Sequence, residues 1–246
     1  MLFGIIYINS SKEIIHEVIK MRLNSYLDES QSVYGPGITF MDIDDTILKT
    51  YARVQIKKDG KTLQRLRNHE YLTYTPKEGE VADFSEYSDA DVFYKTSEPV
   101  DPVIKRIQKM FVKLKERGSR IVIVSGREDA NDKNRFLETF RKFGVPIDDI
   151  YVERVGNDPA AVKDLPHAKK NVILKYLSSG LYRRARLVDD STANCEVFLE
   201  LEDDLPDSVL NKIRDKYNVP DGETPIKFYA LKVLKNGSLQ QIERNN

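Results

Sequence analysis

The sequence predicts an α/β domain with a doubly wound, Rossmann-like parallel sheet and a small cap-like insertion. Two observations predict the sheet: short apolar runs lie far apart along the chain, and helical repeats of apolar residues separate them. Each of these repeats ends at a glycine shortly before the next apolar run, which is the alternation expected of βαβ units. A third observation predicts the insertion, because residues 50–98 separate the first apolar run from the first helical repeat.

The strands are predicted from apolar runs rich in β-branched residues. Runs this short and continuous suit strands that are buried on both faces of a parallel sheet. The Asn236-Gly237 turn after the last run predicts a short closing strand. In chain order the runs are Ile38–Asp42, Arg120–Ser125, Ile150–Val152, Ala185–Asp189 and Lys227–Leu234.

The helices between the strands are predicted from apolar residues at helical spacing. Three such patterns lie within residues 103–114, 136–143 and 172–177, and Gly118, Gly144 and Gly180 follow them. A further amphipathic pattern at 11–29 predicts a helix that packs on the core. The sequence therefore divides into an N-terminal strand and helix segment (1–36), a core (37–49 and 99–246) and the insertion (50–98).

Composition excludes several classes of protein. The chain has 246 residues, and its 39 Lys and Arg balance its 39 Asp and Glu, so no overall charge draws it to nucleic acid or to an anionic membrane. Its lone cysteine, Cys195, excludes a disulfide framework and a thiolate metal cluster. No apolar run approaches the roughly 20 residues that span a bilayer, and Met1–Ser10 lacks the basic region and cleavage site of a signal peptide. We expect a soluble protein in the cytoplasm, or in the host cytoplasm if the chain is phage-encoded.

Carboxylates follow two of the predicted strands at the point where each strand ends. Asp42 and Asp44 end the first run and Asp189-Asp190 ends the fourth. Ligands bind at the carboxyl ends of parallel strands, and acidic side chains this close repel one another unless a cation holds them. Oxygen ligands without His or Cys select Mg²⁺ over Zn²⁺. The alternative is a solvated acidic turn after each strand, which the recurrence on two strands disfavours.

Two further features lie at the predicted edge. Ser125 ends the second run before Gly126, where a hydroxyl and backbone N–H groups suit an anion. Lys169 and Lys170 lie near the start of the helix that leads into the fourth run, against the helix dipole, a local conflict that functional sites often show.

These residues resemble the motifs of the haloacid dehalogenase (HAD) superfamily of phosphohydrolases. The first motif matches Asp42-Ile-Asp44-Asp45-Thr46, the second matches Ser125, and the fourth matches Asp189-Asp190 with Asn194 as a later polar residue. Lys170 is the best match to the third motif, a lysine, with Lys169 and Lys175 as the alternatives. All four motifs occur in the family's order on the expected elements, and they span residues 38–195.

The resemblance implies a Mg²⁺-dependent phosphatase that hydrolyses phosphate monoesters. It implies that Asp42 attacks phosphorus to form an aspartyl-phosphate, and that Asp44 is the general acid and base. Ser125 and Lys170 would bind the phosphate, and Mg²⁺ would be held by Asp42, Asp189 and the Asp44 backbone carbonyl. The implied supporting residues are Thr46, Arg127, Asp190 and Asn194.

A narrower resemblance concerns the substrate. The segment 121–128 is most similar to the phosphatase module of phage polynucleotide kinase/phosphatases. That similarity predicts a phosphorylated nucleotide or nucleic-acid end as substrate, with no membrane partner. A kinase half is not predicted: Gly60-Lys61-Thr62 ends like a Walker A loop, but Gln55 stands where its first glycine belongs.

The insertion has opposite charges at its two ends. Residues 51–67 are basic and residues 78–98 are acidic. In the HAD family an insertion at this position covers the active site, so the basic hairpin predicted around Asp59-Gly60 would bind an anionic substrate, and Tyr51, Tyr71 and Tyr74 would stack on bases. The alternative is that the two ends pair with each other. Arg127 is expected either at the substrate or as a solvent-facing residue at a helix start.

The sequence is compatible with two other functions. One is a phosphatase of small metabolites, and the other is a non-catalytic HAD-like module that binds nucleic acid or a protein. The second Asp of the first motif favours catalysis, because a binding module has no need of Asp44.

Overall fold

The computed structural model describes residues 35–244 apart from residues 72, 159, 160 and 162. The predicted N-terminal helix at 11–29, with nearly all of the segment 1–36, lies outside the described residues. In chain order the strands are β1 (Gly37–Met41), β2 (Leu48–Lys49), β3 (Val54–Lys58), β4 (Lys61–Leu66), β5 (Val81–Asp83), β6 (Glu98–Pro99), β7 (Arg120–Ser125), β8 (Tyr151–Arg154), β9 (Arg184–Asp189), β10 (Lys227–Val233) and β11 (Leu239–Ile242).

The helices alternate with the strands over most of the described chain. They are α1 (Asn68–Tyr71), α2 (Ser85–Ser88), α3 (Ala90–Thr96), α4 (Asp101–Arg117), α5 (Lys133–Lys142), α6 (Leu165–Leu177), α7 (Thr192–Leu199), α8 (Leu201–Asp204) and α9 (Asp207–Tyr217). Short 3₁₀ turns occupy Ile147–Asp149 and Val155–Asn157 on either side of β8.

Within the residues that the structure describes, the main sheet has six strands in the spatial order β11-β10-β9-β1-β7-β8. All neighbouring strands are parallel except β11, which pairs antiparallel with β10 through the predicted Asn236-Gly237 turn. The prediction of an α/β fold with a mostly parallel sheet is therefore confirmed. The first run forms β1 at the centre, with the strands that end in Ser125 and Asp189 on either side.

Successive side chains of each strand point to opposite faces of the sheet. Both faces are buried. Met41 and Ile123 belong to one apolar cluster with residues of α4 and α5. Phe40 and Val122 belong to a second cluster with residues of α6, α7 and α9. Helices therefore cover both faces, and the carboxyl ends of β9, β1 and β7 meet at one edge of the sheet.

Residues 50–98 leave and rejoin the core through a short antiparallel pair, in which Leu48 lies opposite Pro99. The predicted hairpin is confirmed, with Asp59 and Gly60 at positive φ in its turn, and β5 adds a third strand in the order β4-β3-β5. The Gly60-Lys61-Thr62 segment lies in this hairpin, so it has no helix behind it as a Walker A loop would.

Aromatic packing fixes the helical part of the insertion to the core. Phe93 of α3 stacks on Phe136 of α5, with ring centroids 5.0 Å apart, and also contacts Phe140. Polar contacts surround this packing: the Asn131 side chain accepts from the Ala90 N–H at 3.0 Å, and the Asn131 N–H donates to the Ser88 carbonyl at 2.9 Å. The helical part of the insertion therefore packs against the core as a wall beside the carboxyl ends of β1 and β7.

Among the described residues, no helix combines the length and the apolar character that a membrane crossing requires.

Candidate functional site

Two aspartates at the tips of adjacent parallel strands form the base of the site. Met41 lies opposite Val188 in the register of β1 and β9, so Asp42 and Asp189 extend from the same edge. The Asp42 N–H donates to the Val188 carbonyl at 3.0 Å. This bond extends the hydrogen bonding between β1 and β9 one residue past the end of β1. The predicted convergence of Asp42 and Asp189 is what the structure shows.

Lys169 joins these two carboxylates. Its Nζ lies 2.9 Å from Asp42 Oδ1 and 2.8 Å from Asp189 Oδ2, and its side chain is only 3% exposed. Burial alone would lower the pKa of Lys169, but the charges of Asp189 and Asp42 outweigh it and hold that pKa above the usual value. Lys169 is therefore a permanent cation between the two carboxylates.

The prediction that Lys170 lies at the site is wrong. Lys170 points away from the strand tips and pairs with Glu200 at 2.6 Å and Asp204 at 2.5 Å. Adjacent helical residues project about 100° apart, so only one of the two lysines can face the sheet. Lys169 shares the buried side of α6 with Ile173 and Leu177, four and eight residues later, and this spacing was the signal in the sequence.

Asp189 is completely buried and well hydrogen-bonded. Asn194 Nδ2 donates to both of its oxygens, at 2.9 and 3.0 Å, and the Ser191 N–H donates to Oδ1 at 2.9 Å. Asn194 lies in the first turn of α7, which the Ser191 side chain caps. The position predicted for Asn194 as a supporting residue is therefore beside this carboxylate.

Asp42, Asp189 and Asp190 can present one oxygen each within 4.8 Å of one another. Burial is the main cause that raises the pKa of Asp42 well above its ordinary value, and Asp189, Asp44 and Asp190 raise it further against the opposing charge of Lys169. Burial, followed by the charge of Asp189, raises the pKa of Asp190 to about 7. Full ionisation of the trio would therefore leave more negative charge than Lys169 alone compensates.

Asp44 is separate from this trio. Arg127 binds its carboxylate with two hydrogen bonds, from Nε at 2.9 Å and from Nη2 at 2.7 Å, and Thr50 Oγ1 donates to it as well. Burial alone would raise the pKa of Asp44, but the charge and hydrogen bonds of Arg127 and the Thr50 bond lower it. The Asp44 side chain is 24% exposed, so this ionised carboxylate borders solvent.

Arg127 connects Asp44 to the insertion, and the solvent-facing alternative for it is wrong. The guanidinium lies 4.4 Å from the Phe93 ring centroid and 5.4 Å from that of Tyr87, and Nη1 donates to the Tyr87 carbonyl at 2.7 Å. The side chain is buried. Sequence reasoning missed Thr50, Tyr87 and Phe93, because no local pattern links them to Asp44 or to Arg127.

Ser125 and Thr46 are both completely buried at this edge. Ser125 ends β7 beside β1, and its Oγ accepts from the Arg127 N–H at 3.2 Å. Thr46 lies in the tight turn after β1, where the Ile43 carbonyl accepts from the N–H groups of residues 46–48. The Thr46 hydroxyl has no hydrogen-bond partner among the described residues.

Two ion pairs and one contact to a backbone carbonyl join the basic and the acidic parts of the insertion. Lys57 forms an ion pair with Asp83, Arg65 forms one with Glu86, and Lys58 Nζ donates to the Glu78 carbonyl at 3.2 Å. These contacts agree with the second of the two interpretations of the insertion.

Comparison with protein-family models and with curated protein sequences finds no match for this chain.

Proposed function

We propose that this protein is a Mg²⁺-dependent phosphatase of the HAD type, which hydrolyses a phosphate monoester through an aspartyl-phosphate. The observation that carries the proposal is the Asp42–Lys169–Asp189 cluster at the tips of adjacent parallel strands. Asp190, Asp44 and Ser125 lie at the same edge, so the residues that resemble the family's four motifs converge once Lys169 replaces Lys170.

The chemistry of the trio fits a hard divalent cation. Asp42 Oδ1 is buried and has no hydrogen bond among the described residues, although Lys169 lies within ion-pair distance of it. Asp42, Asp189 and Asp190 would hold the ion through carboxylate oxygens, the ligands that Mg²⁺ prefers. When bound, Mg²⁺ would offset the repulsion between the carboxylates and the incoming phosphate.

Asp42 is the proposed nucleophile. Its carboxylate oxygen attacks phosphorus, the bond from phosphorus to the leaving oxygen breaks, and the phosphoryl group is left on Asp42. Lys169, fixed by its ion pair with Asp189, opposes the effect of burial on the pKa of Asp42 and supplies positive charge for the phosphate oxygens. Water then attacks the same phosphorus, the bond between phosphorus and the Asp42 oxygen breaks, and inorganic phosphate leaves.

Asp44 is the proposed acid and base. It gives a proton to the leaving oxygen in the first step and takes one from water in the second. Arg127 holds Asp44 ionised in the free protein, which suits the second step. A bound phosphate dianion brings negative charge next to Asp44 and raises its pKa, which favours the protonated form that the first step requires.

The main alternative is a non-catalytic binding module. A module that only binds would gain nothing from a lysine buried between two carboxylates, since buried ion pairs are expensive to form. The protein bears this free-energy cost at the edge of the sheet where ligands bind, which favours a catalytic role for the cluster.

The direct test is hydrolysis of p-nitrophenyl phosphate with and without Mg²⁺. We expect turnover that depends on Mg²⁺ and that Asp42→Asn abolishes. The matched control for Lys169→Gln is Lys170→Gln, because the Lys170 side chain pairs with Glu200 and Asp204 instead. The absence of turnover with every divalent metal tried would refute the proposal.

The substrate class needs a second experiment. We propose a nucleotide or a nucleic-acid end, from the narrower resemblance of residues 121–128, with small metabolites as the alternative. A panel of mononucleotides, 3′- and 5′-phosphorylated oligonucleotides and sugar phosphates separates the two by kcat/KM.

A further inference from the structure

The loop between β7 and α5 carries Arg127 but has no helix or strand of its own. It covers residues 126–132, since β7 ends at Ser125 and α5 begins at Lys133. From this loop Arg127 reaches Asp44, with hydrogen bonds from Nε at 2.9 Å and from Nη2 at 2.7 Å. The position of the loop backbone therefore determines whether the guanidinium reaches the Asp44 carboxylate.

The turn that follows β8 lies directly against this loop. β7 and β8 are parallel, and Ser125 lies opposite Arg154 in their register, so the chain leaves both strands side by side. After β8 the chain forms the 3₁₀ turn Val155–Asn157, and Val155 is buried in the second apolar cluster. The turn is therefore fixed to the core at the place where the loop begins.

Gly156, the middle residue of this turn, packs against the loop backbone without space for a side chain. A Cβ atom there would lie 2.4 Å from the Gly126 carbonyl oxygen, 2.7 Å from the Arg127 carbonyl carbon and 2.8 Å from the Glu128 nitrogen. Ordinary contacts of a Cβ atom begin at 3.4 Å, and these three backbone atoms cannot give way by rotation of a side chain. A methyl group at Gly156 would therefore separate the loop from the turn by about 1 Å, the difference between 3.4 Å and 2.4 Å.

Two polar contacts hold the next residue of the loop to the same part of the chain. The Asp129 N–H donates to Asn157 Oδ1 at 2.9 Å, and Arg154 Nη1 donates to Asp129 Oδ1 at 2.7 Å. The Arg154 guanidinium also lies 4.3 Å from the centroid of the Phe136 ring of α5, and its side chain is only 10% exposed. The end of β8 and its turn therefore contact the loop along residues 126–129.

We propose that Gly156 and Asn157 are positioning residues, which hold the loop so that Arg127 orients Asp44 for proton transfer. Neither residue needs to touch the substrate, because both act on the backbone from which Arg127 extends. A misplacement of about 1 Å near a reacting group can cost about 100-fold in rate. The inference rests on the proposed function, in which Asp44 is the acid and base, and it adds the carboxyl end of β8 to those of β9, β1 and β7.

The first test observes the Arg127 side chain and requires no turnover. The Nε–H of Arg127 gives a signal in ¹H–¹⁵N NMR spectra, and the loss of that signal in Arg127→Gln assigns it. We expect Gly156→Ala to shift this signal and to speed its exchange with solvent at least about tenfold, because the bond to Asp44 is weakened. Asn157→Ala removes one hydrogen bond without adding bulk, so it should have the same effect to a smaller extent even if Gly156→Ala does not fold.

Gly144→Ala is the matched control, because it strains the far end of α5 without touching the loop. Gly144 has a φ of +74°, and an added Cβ atom would lie 2.7 Å from the flexible side chain of Gln108. This variant should lower the melting temperature and leave the Arg127 signal unchanged. A signal that is unchanged in both Gly156→Ala and Asn157→Ala, or that Gly144→Ala shifts as much, would overturn the inference.

The second test is a double-mutant cycle on the hydrolysis of p-nitrophenyl phosphate. Gly156→Ala should lower kcat about 100-fold with little change in KM, and Asn157→Ala should lower it about fivefold, the effect typical of one hydrogen bond. In an Arg127→Gln background neither substitution should lower kcat further, since both act through Arg127. Reductions that multiply with that of Arg127→Gln would contradict the inference.

The two tests separate the failure of this inference from that of the proposed function. Absence of turnover in the unsubstituted protein would refute the phosphatase proposal, and the NMR signal would still decide whether Gly156 and Asn157 position Arg127. A normal kcat in a Gly156→Ala protein whose Arg127 signal has shifted would overturn the inference and leave the phosphatase proposal intact.

Discussion

Asp44 is the residue whose environment most directly constrains the mechanism. Its carboxylate is bound by Arg127 and Thr50 and lies outside the trio that suits a metal. We therefore expect Asp44→Asn to reduce turnover of p-nitrophenyl phosphate by at least about 100-fold, the contribution typical of a general acid and base. The same variant should keep the rise in melting temperature that Mg²⁺ produces, which thermal denaturation measures. Near-normal turnover in Asp44→Asn would exclude Asp44 as the general acid and base.

Asp189 and Ser125 are predicted to have different roles. Asp189 belongs to the carboxylate trio, whereas Ser125 ends β7 and does not belong to it. Asp189→Ala should raise the Mg²⁺ concentration needed for half-maximal activity, whereas Ser125→Ala should raise KM and leave that concentration nearly unchanged. Titration of activity against Mg²⁺ in both variants measures the difference. An equal shift in both would contradict this division of roles.

The raised pKa of Asp190 predicts how pH and Mg²⁺ affect stability together. With a pKa of about 7 in the folded state and about 4 in the unfolded chain, Asp190 binds more protons when folded. The metal-free protein should therefore lose stability as pH rises from about 4 to 7. Mg²⁺ requires the ionised carboxylates, so it should raise the melting temperature more at pH 8 than at pH 6. Asp190→Asn should flatten this dependence, and an equal effect of Mg²⁺ at both pH values would argue against the site.

At the scale of single residues, the sequence predicts those whose position follows from a strand end. Asp42 and Asp189 were predictable because an apolar run fixes the strand and the acid directly follows it. The choice between Lys169 and Lys170 depends on the rotational phase of α6, which begins at Leu165, earlier than the apolar pattern indicates. The ion pair of Arg127 with Asp44 joins residues 83 positions apart, and no local pattern encodes it.

At the scale of elements, docking of α3 on α5 determines where the insertion lies. Phe93 is buried between Phe136 and the Arg127 guanidinium. Phe93→Ala should lower the free energy of unfolding by about 3 kcal/mol, because it removes a buried ring and leaves a cavity. It should also reduce turnover, since the Arg127 side chain that holds Asp44 loses its packing. Urea denaturation measures the first effect, with the exposed Val112→Ala on α4 as the control. A loss of stability below about 1 kcal/mol would mean that the insertion is not docked in solution.

The helices of the core were predictable because each combines apolar residues at helical spacing with a residue that ends the helix. Gly118, for example, has a left-handed backbone conformation at the end of α4. The insertion was predictable only as a hairpin. Its strand β5 has three residues, too few to show an alternation, and its charge pattern fits either a binding surface or internal ion pairs. The contacts of Lys57 with Asp83 and of Arg65 with Glu86 favour internal ion pairs, and they join residues 26 and 21 positions apart that no local pattern links.

At the scale of the whole molecule, the question is whether the insertion moves relative to the core. Its helical part contacts the core through Phe93, Arg127 and Asn131. Among the described residues β4 is an outer strand of the small sheet, and it is exposed along nearly its whole length. We therefore expect two behaviours within one insertion. Amides of α3 should exchange hydrogen nearly as slowly as those of β1, while amides of β4 exchange much faster.

Hydrogen exchange followed by mass spectrometry measures both, and the comparison bears directly on catalysis. If α3 is as protected as β1, the wall beside Asp44 is fixed, and substrate reaches Asp42 without opening of the insertion. Phe93→Ala serves as the positive control, because it should speed exchange in α3 and leave β7 protected. Fast exchange throughout residues 85–99 in the unmodified protein would instead mean that the insertion opens as a unit. Arg127 would then lose its contact with the Tyr87 carbonyl in each opening, and the geometry around Asp44 would form only when the insertion closes.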